Sequence, residues 1–137
     1  MDNILAFNRS KTIEELIAEG GYHCPGNNIK PDNFHKLGSG IERVEHKLFT
    51  FDHDLYRGEA MKLIRREGWW FPQIQHLLVF GIKHPQPTED YPIIALGSVD
   101  RSNGLPLIPC IQRKEVDLSF GIMPAGFQFL AIKDIRK

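Results

Sequence analysis

The chain has 137 residues, 42% hydrophobic and 25% charged, the composition of one ordinary globular domain. A domain of this size buries roughly two thirds of its unfolded surface, enough to fold without metals or disulfides. Seventeen acidic residues balance seventeen basic ones; this argues against a dedicated nucleic-acid binder, which needs a basic excess, and leaves room only for a local patch.

Met1 to Phe7 lacks the basic start, long apolar core and small-residue cleavage site of a secretory signal. No apolar run approaches the ~20 residues that cross a bilayer. A cytoplasmic location and no membrane partner are therefore expected. Thr12 with Glu15 fits a capping box, and Ile13, Leu16 and Ile17 then share one helical face. Gly20-Gly21 stops that helix. Residues 22–40 carry Pro25, Gly26, Asn27, Asn28, Pro31, Asp32, Asn33, Gly38 and Gly40, which is loop chemistry, with Phe34 and Leu37 pinning the loop to the body. Residues 1–43 thus read as an arm packed on a body of residues 44–137, one globular unit in all.

Ile41 to Phe51 alternates as a strand. Glu59 to Glu67 reads as a helix, with Arg65-Arg66 at its negative end and Gly68 as its stop. Pro72 suits the first turn of another helix, whose buried stripe is Ile74, Leu77, Leu78 and Phe80 and whose end is Gly81. Residues 84–90 form a polar, proline-rich loop. The pattern then turns to strands near 93–99, 105–112, 115–120 and 127–133. Asn103-Gly104 and Arg113-Lys114 supply turns between them. Helices early and antiparallel strands late give the α+β class: short helices on a late-chain antiparallel sheet.

Gly68-Trp69-Trp70-Phe71-Pro72-Gln73-Ile74-Gln75-His76-Leu77 resembles a motif of C-type-lectin-like domains of the formylglycine-generating-enzyme type, closest to a bacterial branch without assigned activity. That pattern is Gly-Trp-Arg-Leu-Pro-Thr-x-x-Glu-Leu. Gly68, Trp69, Pro72 and Leu77 match it. Gln73 and His76 replace its Thr and Glu, which weakens the capping box at that helix start. Ala95-Leu96-Gly97-Ser98 and Phe129-Leu130-Ala131-Ile132-Lys133 match two softer landmarks. The resemblance covers about residues 44–133. It implies a lectin-like scaffold with function displayed on loops. On physical grounds alone, Trp69 and Trp70 read as a core anchor locking two helices to the sheet, with an aromatic ligand platform as the other use of the same residues.

Candidate chemistry is sparse. Calcium-dependent sugar binding of the lectin type would use oxygen ligands, of which Gln86-Pro87-Thr88 is a partial echo and Glu89 and Asp90 are possible carboxylates. The paired cysteines that the formylglycine-generating reaction needs are not both present, since Cys110 has no second cysteine after it. Asp52-His53-Asp54 with His46 could seed a metal site, but His46 and Asp52 lie about 20 Å apart on an extended strand. Asp52 or Asp54 reads more simply as a turn or cap. Cys24, beside His23, reads as an exposed loop thiol, and Cys110 as a small buried residue. Lys62 with Arg65-Arg66, and Arg113-Lys114, read as solvated faces rather than phosphate clamps. No phosphate-binding loop or nucleophile elbow occurs.

The reading is therefore a bacterial or phage-type binding or interaction module, more non-enzyme than enzyme, without cofactor or metal. Its ligand-contacting residues would be Gln86, Glu89, Asp90, Arg101, Asn103 and Met123. The last sits in an unusually apolar loop, with Ile122 and Pro124, that hints at a protein partner or homodimer. A small-molecule or glycan ligand is open; nucleic acid is not expected. The alternative is a small metal-dependent or cysteine-using enzyme built on His46, Asp52, His53, His76 and Cys110.

Overall fold

The computed structural model describes residues 3–25, 28–84, 91–102, 104, 106–120 and 122–135. Its centre is the ten-residue strand β2, Ile41–Thr50, whose alternation gives it two distinct faces. The closing strand β8, Gln128–Asp134, lies antiparallel beside it, from Val44↔Asp134 to Thr50↔Gln128. On its other side β2 pairs antiparallel with β1, Ile4–Asn8. Beyond β8 come β4 (Ile93–Ile94), β5 (Leu107–Gln112) and β6 (Glu115–Phe120). The sheet order is β1-β2-β8-β4-β5-β6, and a two-stranded sheet pairs β3, Leu55–Tyr56, with β7, Ile122–Met123.

The class is α+β, with two departures from the sequence reading. The sheet is not confined to the late chain, because β1 and β2 supply two of its six strands. It is also mixed rather than antiparallel, since β4 runs parallel to β8. The strand expected over 93–99 closes after two residues. Ala95 and Leu96 stay fully buried, but the chain leaves the ladder and Gly97 N donates to the Pro72 carbonyl at 2.8 Å.

Helix α1, Ile13–Gly20, starts on the expected capping box and ends on Gly21 at φ 67°. Helix α2 is Arg57–Arg66, and α3 is Ile74–Lys83. The expected single stripe on α3 understates its burial: every residue from Ile74 to Gly81 is buried. The sheet lies on one side of it, and α1 and residues 29–34 on the other. Leu5, Ile13, Leu16, Ile29, Phe34, Val44, Leu77, Ile93 and Leu130 share that core. The first 43 residues are thus an edge strand, a helix and a loop within the main core. On the opposite sheet face, Leu55, Ala60 and Ile64 pack with Ile94, Leu96, Ile108, Met123 and Phe129. No helix among the described residues is long and apolar enough to cross a membrane.

The tryptophan hinge divides its work. Gly68, at φ 90°, turns the chain out of α2. Trp69 is half-buried against the second core, 6.3 Å ring to ring from Phe49. Trp70, expected as a core anchor, has 55% of its surface exposed. Its backbone does the fastening: Trp70 N donates to Ile132 O at 2.8 Å, and Ile132 N donates back at 3.1 Å.

Candidate functional site

Between β1 and α1, the Asn8 side chain accepts bonds from the Ser10 N–H (3.0 Å) and hydroxyl (2.8 Å), tightening the turn. Thr12 Oγ1 then accepts from Glu15 N at 3.0 Å, while Glu15 Oε1 accepts from Thr12 N at 2.8 Å. Facing this helix start is the segment 31–38. It is held by Asn33 Nδ2 donating to Asp100 Oδ2 (3.1 Å), by Gln75 Nε2 donating to the His35 carbonyl (2.8 Å), and by the buried Phe34 ring. Asp100 is itself buried; burial would raise its carboxyl pKa, but bonds from Ser102 and Asn33 outweigh that and hold it below the usual range.

A cleft of about 280 Å³ lies between the two segments, with Ile13, Phe34 and Leu37 as apolar walls and Arg9, Lys11 and Lys36 among its polar ones. Lys11 is tied to Glu19 at 2.6 Å. Lys36 is exposed and in no ion pair among the described residues. Gln75 also lines the cleft; it is 4% exposed, and its Oε1 is buried without a donor.

Behind the cleft runs a polar chain that fixes its geometry. Arg9 Nε lies 3.4 Å from Glu42 Oε1, an electrostatic contact rather than an aligned hydrogen bond. Glu42 Oε2 is 3.0 Å from His76 Nε2. His76 Nδ1 accepts the backbone N–H of Gln73 at 3.0 Å, so the ring proton belongs on Nε2, where it is donated to Glu42. His76 therefore does half the work of the capping box that its replacement of Glu was expected to weaken. Both ring nitrogens are used within the fold, which leaves no lone pair for a general base. The His76 hydrogen bond, opposed by burial and aided by the Arg9 charge, holds the Glu42 carboxyl below its ordinary range.

The other expected chemical groups do not converge. Gln86, Glu89, Asp90 and Asn103 lie outside the described residues. Arg101 is exposed, close enough to Arg57 for their like charges to interact. Met123, expected on an exposed ligand loop, is fully buried because β7 docks its side chain beneath the Leu55 backbone pair. Asp52 and His53 pair with each other at 2.9 Å on the surface. Asp54 caps a turn, accepting Ala125 N at 2.9 Å. His46 sits edge-on to Phe80 and His84, each with ring centroids 5.2 Å away, beside a more open hollow. No group of three or more His, Cys, Asp or Glu among the described residues is placed to hold a metal ion.

Cys24 and Cys110 are free thiols on opposite faces of the sheet. Burial first, then the Asp117 charge, pushes the Cys110 thiol up to about 12 and raises Cys24 as well. Neither is an activated nucleophile. Cys24, read from the sequence as an exposed loop thiol, is half-buried against the first core.

Arg9, Lys36, Glu42 and Gln75 gave no motif in the sequence. The one local signal near them was the Thr12 cap, which marks where the helix start, and hence the cleft, lies. Comparison with protein-family models, curated proteins and solved structures finds no significant match.

Proposed function

We propose that this chain is a non-enzymatic binding module on a lectin-like scaffold, with its ligand site in the cleft between α1 and residues 31–38. The order strand, helix, helix, strands from Ile41 onward supports the scaffold reading. The make-up of the cleft carries the binding reading: apolar walls, the Lys36 ammonium outside any ion pair among the described residues, and a Gln75 oxygen lacking a donor. A volume of about 280 Å³ falls just below the roughly 300–1,000 Å³ of drug-sized ligand sites, so the ligand is fragment-sized. It combines an apolar body with an anionic end for Lys36 and an N–H or O–H for Gln75. An apolar amino acid, free or at the end of a peptide, has all three groups.

Amide chemical shifts of the ¹⁵N-labelled protein, titrated with N-acetylated apolar amino acids, test the reading. Shifts should concentrate at residues 9–14 and 33–38, and Lys36→Glu should weaken them. Shifts scattered over the surface, or none at millimolar ligand, would reject the cleft as the site.

A further inference from the structure

The capping box satisfies only part of the start of α1. A helix begins with four backbone N–H groups that have no acceptor within it. Glu15 Oε1 accepts that of Thr12 and Thr12 Oγ1 accepts that of Glu15, at 2.8 and 3.0 Å. The N–H groups of Ile13 and Glu14 have no acceptor among the described residues, and both residues line the cleft. Two adjacent donors at the positive end of a helix make a seat for a carboxylate.

A second, independent observation lies in the same cleft. Gln75 is 4% exposed, and its amide nitrogen is committed to the His35 carbonyl at 2.8 Å. Its oxygen is buried without a donor and is left to accept an N–H from the occupant of the cleft. The charges select further. Arg9 is turned to Glu42 and Lys11 to Glu19, which leaves the exposed Lys36 against two exposed carboxylates, Glu14 and Asp32. None of these three is in an ion pair among the described residues. A plain anion entering the cleft gains Lys36 but meets both carboxylates. A zwitterion brings each charge its opposite.

We infer that the cleft holds a free apolar amino acid as its zwitterion. The carboxylate sits on the Ile13 and Glu14 N–H groups beside Lys36, and the ammonium lies between the Gln75 oxygen and Asp32. The inference rests on the cleft being the ligand site, and it decides between a free amino acid and a peptide end. A peptide C-terminus puts an uncharged amide where the ammonium stands. A peptide N-terminus puts one where the carboxylate stands. The apolar side chain packs against Ile13, Phe34 and Leu37 in every case.

Amide-shift titrations of the full chain with leucine, N-acetyl-leucine and leucinamide separate the cases. They are run at about pH 6, where a free α-amine is protonated. Leucine should bind most tightly, and loss of either charge should weaken binding about 10-fold or more, the worth of a hydrogen bond to a charged group. The Ile13 and Glu14 amide protons should move downfield with leucine and N-acetyl-leucine but not with leucinamide. Asp32→Asn should weaken leucine about 2- to 5-fold without weakening N-acetyl-leucine, and Lys36→Gln should weaken both of these without weakening leucinamide. Asp32 and Lys36 are exposed, so both variants keep the fold. N-acetyl-leucine or leucinamide binding as tightly as leucine would overturn the zwitterion in favour of a peptide end, with the cleft still the site. No shift in the cleft with any of the three would overturn the site as well.

Discussion

Replacing His76 with leucine tests whether the polar chain behind the cleft is a structural device. The imidazole is 3% exposed and makes two bonds, one from Gln73 N at 3.0 Å and one to Glu42 Oε2 at 3.0 Å. Leucine keeps the apolar contact with Phe7, whose ring lies edge-on at 5.5 Å. It strands the Gln73 N–H, at a cost of about 1–3 kcal/mol, and takes the donor from Glu42, whose side chain is 22% exposed, at a cost of about 1 kcal/mol. The sum is about 2–4 kcal/mol, or a fall of roughly 10 °C in Tm for a domain of this length. Urea unfolding at neutral pH measures it. The Glu42 share should also depend on pH. Its folded-state pKa is lowered, so its contribution is complete above the ordinary glutamate value near ~4.3 and is lost as pH falls through the folded-state value. The gap between wild type and variant should therefore narrow in acid. A double-mutant cycle with Glu42→Gln should show about 1 kcal/mol of coupling. A total cost below about 1 kcal/mol, or strict additivity in the cycle, would refute the hydrogen-bond assignment.

Other substitutions separate backbone approach from open space. A Cβ on Gly97 would fall against the Pro72 carbonyl oxygen and 2.8 Å from that of Phe71, so Gly97→Ala should cost about 1–3 kcal/mol. Gly58, in the first turn of α2, has nothing within 4 Å of the same position, so Gly58→Ala should stabilise by up to about 1 kcal/mol. Thermal melts that reversed this order would contradict both arguments. Thr12→Ala removes the α1 cap and should cost about 1 kcal/mol, read by the same melts. With a thiol reagent at pH 8, Cys24 and the half-buried Cys110 should both react slowly, Cys110 the more slowly; a fast native Cys110 would contradict its raised pKa.

Short-range signals in the sequence placed most of the elements. The Thr12–Glu15 box, the left-handed Gly21, the β2 alternation and the strand 115–120 all depend on residues a few positions apart. The same is true of the Arg113-Lys114 turn, where both residues take positive φ, 53° and 71°. The misses depend on partners far along the chain. Residues 4–8 do not alternate cleanly, and they become a strand because β2 offers an edge. The two-residue strands β3, β4 and β7 exist only through their pairings. Met123 is buried because Leu55 lies opposite it, and Trp70 is exposed because its backbone, not its indole, meets β8.

The sequence by itself therefore determined the three helices, the longer strands β2, β5, β6 and β8, and the α+β class. The tertiary structure alone decided which apolar face is covered. It also joined Arg9 to Glu42 and His76 across thirty or more residues. The division follows from range: caps, turns and alternation act between near neighbours, whereas burial and charge pairing depend on what the folded chain brings alongside.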